Sequence, residues 1–531
     1  MRFTVNSAEV KTTTEPEEYI NLFQQFFIHP DPERQKEIRT CLKYNVMNPF
    51  ISRIVLFHNY KETDGLPYTE EELGCWDKKI IQVPIDHRMM YSDAIHYSNV
   101  TECRGYNIIA NADIFFDESL ESLLDSDLNQ EPKRIACQLR YEYDGSPTGI
   151  KIFGPRADSQ DAWIYHCKYN ERLTENIRVF HIKLGMPGCD NKVTYLFKLL
   201  GFELVNDPQL IHCLHYHKTQ IRNYSAKDVI KKPYAFIIPK GLPLDPIDIS
   251  FTDNDRMFEY IWNKKDERFI IPRIAGVENI VAHNITIENG KELRFDTMKN
   301  NAGVQISSNT SCKKYADAYF KAFENCDMLT GWSKMSFDNV YAGIKDSQDY
   351  VDMKYKKQRV WAESMEIYNH IYGTPWTLAL EGKRILIISA FVKSIKEKIP
   401  VLDKIYPREI FKNNDFVFLK PPQLAGENPS REWDIELADF CDELDSIKDD
   451  YDVALVSCGG LGNLVCNHIY NSGKSAIYVG GVLSMFFGVW GNRWLEEKPD
   501  IMKLYMNRHW SRPKPEERPL GFKSIESACY Y

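Results

Sequence analysis

Two short, unbroken apolar runs constrain the second half of this chain. Arg384-Ile-Leu-Ile-Ile-Ser389 and Asp452-Val-Ala-Leu-Val-Ser457 are too short for helices and show no polar face, so each reads as a strand covered on both sides. The first half repeats the pattern: residues 51–57, 80–84 and 106–110 are strand-like, while 33–42, 92–99 and 192–200 have helical spacing. A further strand is expected over 135–143 and another over 269–274. Strands alternating with helices predict largely parallel sheets faced by helices, an α/β fold made of two Rossmann-like domains.

At 531 residues the chain is too long for one ordinary core. Pro233, Pro239, Pro243 and Pro246 break both helix and strand, which places a joint there: a first domain over 1–240, a proline-rich linker over 241–252 and a second domain over 253–531. A formal charge of −9 excludes nucleic acid as the main partner, because phosphate backbones need clustered Lys and Arg. The 13 cysteines are dispersed without a CxxC pair, which reads as reduced thiols in a cytoplasmic protein. The first ten residues lack an apolar h-region, and no window holds the roughly 18 apolar residues of a transmembrane helix, so neither a signal peptide nor a membrane span is expected.

Residues 111–117, Asn-Ala-Asp-Ile-Phe-Phe-Asp, directly follow the apolar run 106–110. A strand ending this way presents Asn111 and Asp113 at its carboxyl edge, where α/β sheets bind ligands. A carboxylate there can hold Mg²⁺ or Mn²⁺, leaving other positions to water and phosphate oxygens; alone, it could equally cap a turn. Three further features join it. Ser159-Gln160-Asp161-Ala162-Trp163 sets a carboxylate beside a large aromatic, and Gly185-Met-Pro-Gly188-Cys-Asp190-Asn191 sets another at a helix start. His215 and His217 alternate, so on a strand they face the same way. An N-cap for Asp190 and core packing for the histidines are the competing structural readings.

From about residue 19 to 224 these features resemble a nucleotide-sugar glycosyltransferase domain of the GT-A type. The matching residues are the run before Arg34, Asn111-Ala-Asp113-Ile, Gly188-Cys-Asp190-Asn191 before a helix, and His215-Tyr-His217 with Arg222-Asn-Tyr224. Such enzymes usually carry D-x-D; here Asn111 stands first. The resemblance implies that Asp113 holds Mn²⁺ or Mg²⁺ at the donor diphosphate, with His215 or His217 completing the shell and Asn111 contacting the donor. The cation offsets charge gathering on the leaving diphosphate. Asp190 would be the general base of an inverting attack by an acceptor hydroxyl. Asp161 is its competitor, or binds acceptor hydroxyls while Trp163 stacks on a sugar.

The second half resembles, more loosely, the GT-D type over residues 253–492. Phe269-Ile-Ile-Pro-Arg273-Ile-Ala-Gly276-Val-Glu278 aligns with an Arg followed by D-x-E, with Gly276 in place of the Asp. Residues 376–391, Cys458-Gly459-Gly460-Leu-Gly462-Asn463 and 473–481 match the family's strand–loop and βαβ patterns. The resemblance implies Glu278 as a metal ligand and Arg273 on a phosphate. It also implies that the backbone N–H groups of Gly459, Gly460, Gly462 and Asn463 form a diphosphate cradle at a helix N-terminus. A dinucleotide site or an inert βαβ is the alternative; the missing third glycine and ribose-binding acid argue against the dinucleotide.

The expected function is therefore a bifunctional glycosyltransferase. It would add two sugars in succession, from UDP- or GDP-sugar donors, to a glycan, glycolipid or glycoprotein acceptor, with linkage raising the effective concentration of the intermediate. The alternatives are a single activity joined to a glycan-binding or scaffolding domain, and a non-catalytic protein on two decayed enzyme folds. The Asn-, Ile-, Lys- and Tyr-rich composition suggests an AT-rich genome, as in large DNA viruses that encode glycan machinery and contain similar chains; the location would then be host cytoplasm or virion.

Overall fold

The computed structural model describes residues 18–531 apart from 147, 223, 244–249, 289, 291, 333–342 and 525–530. The chain divides into two compact units, residues 1–247 and 248–531. Much of the expected proline-rich linker lies outside the described residues.

The first unit opens with β1 (Ile20–Gln25). Helix α1 (Pro32–Met47) follows, capped by the Asp31 carboxylate, which accepts from Arg34 N, with proline in its first turn; that position costs no hydrogen bond. Strands β2 (Arg53–Asn59) and β3 (Ile80–Ile85), helix α2 (Tyr91–Val100), and strands β4 (Tyr106–Ala110) and β5 (Ile114–Phe116) come next. They are followed by β6 (Arg134–Gln138), β7 (Arg140–Tyr143), β8 (Ile150–Ile152), β9 (Ala162–His166), α3 (Cys189–Leu199), β10 (Glu203–Val205) and β11 (Cys213–His215). The main sheet runs β10-β6-β9-β4-β1-β2-β3, parallel except for β9, which is antiparallel to β4 and β6. A smaller sheet runs β5-β11-β7-β8. Ile20, Leu22, Ile54, Leu56, Ile108 and Ile164 build the core on one face of the main sheet.

One expected strand divides. Residues 135–143 split at Leu139, whose N–H leaves the ladder for Asn206 Oδ1 at 3.0 Å. β6 therefore stays in the main sheet and β7 turns into the small one. Helix α3 also begins earlier than the apolar spacing indicated, at Cys189, because Gly188 adopts φ 78° and starts the turn there.

The second unit holds α4 (Ser250–Asn263), β12 (Ile270–Ile271), α5 (Gly276–Thr286), α6 (Asn309–Asn325), β13 (Met328–Gly331), β14 (Gln358–Trp361), β15 (Arg384–Ile388), β16 (Asp415–Leu419), β17 (Val453–Val456), α7 (Gly462–Asn471) and β18 (Ser475–Tyr478). Its sheet, β12-β18-β17-β15-β16, is parallel throughout. The two unbroken apolar runs form its centre: every residue of Val453–Val456 and all but the first of Arg384–Ile388 are buried. Strand β12 is shorter than the expected 269–274, because Pro272 has no N–H to continue the ladder. The described chain is α/β in both units. No helix among the described residues is long and apolar enough to cross a membrane.

Candidate active site

Two strand pairings build the site of the first unit. In the main sheet Ala110 of β4 pairs with Ala162 of β9, and Gln138 of β6 pairs with the same residue. Asn111 and Asp161, the adjoining residues, and Arg140, two beyond Gln138, therefore meet at the carboxyl end of β4. In the small sheet His215 of β11 pairs with Ile114 on one side and Glu142 on the other. That register puts His215 between Asp113 and Glu142. Asn111, Asp113, Arg140, Asp161 and His215 line a cleft of about 750 Å³ whose lining also includes Arg34, Arg88, Arg156, Asp190 and Arg222.

Asp113, His215 and His217 each offer a ligand atom, and these atoms lie within 4.8 Å of one another. His215 Nε2 is 3.3 Å and His217 Nδ1 is 3.4 Å from Asp113 Oδ2. The opposite ring nitrogens are both committed: His215 Nδ1 lies 2.9 Å from Glu142 Oε2, and His217 Nε2 lies 3.1 Å from Ile221 O. A histidine that donates its far N–H to a carboxylate or carbonyl presents a lone pair at its near nitrogen once that nitrogen gives up its proton, which is how metal-ligating imidazoles are oriented. Carboxylate plus two so oriented imidazoles is a donor set that fits a divalent cation. The turn-capping reading of Asp113 fails here, because its carboxylate faces Arg34 and the histidines.

The electrostatics follow from the same contacts. Burial alone would raise Asp113, yet His215 and Arg34 hold it well below the carboxylate range. Burial works against the imidazolium of His215, but Asp113 and then Glu142 outweigh it and raise the group to about 9. Glu142 is brought to about 2, since His215 and Arg140 overcome its burial. His217 moves the other way, lowered by burial and by Arg34.

Asp190 sits in the first turn of α3, not at its cap; the capping position belongs to Gly188. Burial raises its carboxyl to about 7, with Asp161 adding to the shift and the backbone N–H groups of Asn191 and Gln160 opposing it. A carboxylate with that value is poised to exchange a proton near neutrality.

Asp161 lines the same cleft and has two partners: Oδ2 is 2.9 Å from Arg140 Nη1, and Oδ1 accepts from Asn111 Nδ2 at 3.1 Å. It holds Asn111 in place. Trp163 borders the cleft but is fully buried, edge-on to Tyr91 with ring centroids 4.9 Å apart. Sequence reading also passed over Arg34, Arg140 and Glu142 as site residues. For the last two a signal existed, since Arg140-Tyr-Glu142 alternates on one strand face.

In the second unit Arg273, Glu278 and the 459–463 turn also gather at the carboxyl edge of the sheet. Arg273 Nη1 donates to Val479 O at 2.9 Å, and its guanidinium lies 5.3 Å from the Trp332 ring centroid. Glu278 is buried in the first turn of α5, and its charge adds to burial in raising the phenols of Tyr315 and Tyr478. The glycine turn is tightly packed on its carbonyl side. Tyr478 Oη donates to Gly459 O at 2.7 Å and Tyr315 Oη to Gly460 O at 2.6 Å. Asn463, fully buried, accepts from Arg273 N at 3.0 Å and donates to Arg273 O at 2.8 Å. A Cβ on Gly462 would fall 2.4 Å from the Tyr478 ring. These contacts engage the carbonyls of Gly459 and Gly460 and the side chain of Asn463, and pack Gly462 against the Tyr478 ring.

No protein-family description and no curated protein matches this sequence. Among solved structures, a mannosyltransferase from Pyrobaculum calidifontis in complex with GDP-Man and Mn²⁺ is similar at TM-score 0.23 and 10% identity, over 48% of this chain and 68% of that one. GalNAc-T7 with UDP, GalNAc and Mn²⁺ is similar at TM-score 0.28 and 10% identity, over 39% of this chain and 45% of that one. A 4-diphosphocytidyl-2C-methyl-D-erythritol synthase from Anaerococcus prevotii is similar at TM-score 0.26 and 12% identity, over 40% and 93%. All three likenesses are partial.

Proposed function

We propose that the first unit transfers a sugar from a nucleoside-diphosphate donor to an acceptor hydroxyl, with Asp190 as general base. One observation carries the reading: a carboxylate with two imidazoles oriented for a cation shares a cleft with a second carboxylate raised to about 7. Asp113, His215 and His217 would hold a divalent cation, which would supply positive charge to a departing diphosphate. Two imidazole donors favour Mn²⁺ over Mg²⁺, since nitrogen ligands suit transition metals and Mg²⁺ prefers oxygen. Arg88, steadied by hydrogen bonds to Leu184 O and Gly185 O at 2.7 and 3.2 Å, and Arg222 supply further positive charge around the cleft. Asp190 takes the proton of the attacking hydroxyl, and the new bond forms at the sugar carbon as the bond to the diphosphate breaks. The donor is a UDP- or GDP-sugar and the acceptor a glycan or glycoconjugate. Asp190→Asn should bind donor as the parent does and lose turnover by about 10²–10⁴-fold; near-parental turnover would remove Asp190 from the mechanism.

For the whole chain there are two readings. Two successive transfers would rest on Arg273 and Glu278 of the second unit. The packing of Gly460, Gly462 and Asn463 favours the other, in which the second unit binds or positions glycan and the first alone is catalytic.

A further inference from the structure

Arg34 sets a permanent cation on the same carboxylate oxygen that the two histidines face. Its Nη2 lies 2.6 Å from Asp113 Oδ2, closer than either imidazole nitrogen. Its Nη1 lies 2.9 Å from Glu37 Oε2. All three side chains are buried, and a guanidinium does not lose its proton at accessible pH. A cation arriving at the oxygen the histidines face must share it with Arg34 or displace it.

We propose that Arg34 makes divalent-cation binding conditional on a diphosphate, so that the ion enters with the nucleotide and not ahead of it. The inference rests on reading the cleft as a diphosphate site. A bare ion would meet a carboxylate oxygen already hydrogen-bonded by a guanidinium, in a buried setting where two neighbouring cations repel strongly. Asn111 adds no charge at the first motif position, and Asp161 is held by Arg140 and Asn111. A diphosphate changes the balance, because its oxygens can pair with the ion and with the planar fork of Arg34 together. The other arm of Arg34 extends the coupling. Glu37 accepts from Thr219 N at 2.8 Å and from Thr219 Oγ1 at 3.0 Å, so a turn of Arg34 toward phosphate pulls on the segment that carries His217, Arg222 and Tyr224.

The test is Mn²⁺ binding to the full chain, read from the electron paramagnetic resonance signal of free ion, alone and with UDP or GDP. Parent, Arg34→Met and Arg34→Lys proteins are compared. The parent should bind Mn²⁺ at least about tenfold more tightly with one of the nucleotides than without. Arg34→Met should narrow that gap by binding the bare ion about tenfold more tightly, and Arg34→Lys, which keeps the charge, should preserve it. Equal Mn²⁺ affinity of the parent with and without either nucleotide overturns the proposal, whether or not Arg34→Met folds. So does a folded Arg34→Met protein that binds bare Mn²⁺ no better than the parent. Failure of the parent to bind Mn²⁺ under any of these conditions is a different result, and overturns the reading of the cleft along with the proposal.

Discussion

At the scale of single residues, Asp190 ties activity and stability to pH in opposite directions. Its folded value of about 7 lies above that of an unfolded aspartate, so the fold favours the protonated form. As a base it must be ionised, and kcat/KM should rise with pH through a limb near 7. The stability it contributes is fully present below the unfolded value and is lost as pH rises through 7. Asp190→Asn, which keeps the shape and removes the charge, should therefore melt above the parent at pH 8 while being far less active. A lower melting temperature at pH 8 would show that the carboxylate is not under strain. Glu142 makes a second residue-scale case. Glu142→Gln removes the charge behind His215, and loss of such a partner typically weakens metal binding by about 10–100-fold. Titration of Mn²⁺ in the presence of nucleotide checks this; unaltered affinity would mean that His215 needs no carboxylate behind it.

At the scale of elements, the site depends on where strands and helices end. The Asp113–His215 and His215–Glu142 contacts are consequences of register in the β5-β11-β7 sheet, and a slip by one residue would turn these side chains to the opposite face. Gly188 performs the comparable task for Asp190, since its φ of 78° begins α3 and a Cβ there would lie 2.5 Å from Tyr234 Oη. Gly188→Ala should cost about 1–3 kcal/mol from left-handed backbone strain and misplace the Asp190 turn; the melting temperature and turnover should both fall. Retention of both would show that the turn tolerates a side chain. The same reasoning explains what the sequence made legible. Strand interiors were readable from unbroken apolar runs, and the His215/His217 alternation from strand periodicity. The alternation of Arg140 and Glu142 was visible too, but the role of Glu142 was not, because it comes from a pairing with β11 more than 70 residues away. Leu139, where one apparent strand becomes two, depends on Asn206, a partner equally remote in sequence.

At the scale of the whole molecule, the largely parallel main sheets of both units were foreseeable because fully apolar short runs have few other uses. The glycine turn of the second unit was read by its spacing as an anion cradle. Local pattern did not reveal that Tyr315, Tyr478 and Asn463 close around it, since those contacts join distant elements. Glu278→Gln discriminates the two whole-chain readings. If the second unit only binds or positions glycan, one sugar addition is seen in parent and variant alike; two additions in the parent with one lost in the variant would establish a second catalytic centre.

The most direct test of the central claim is equilibrium binding of a panel of UDP- and GDP-sugars to the full chain, with and without Mn²⁺, beside Asp113→Ala. The account predicts that at least one donor binds the parent only when Mn²⁺ is present, and that Asp113→Ala folds normally yet loses this binding. Binding of no donor by the parent, or equal Mn²⁺-dependent binding by Asp113→Ala, would contradict it.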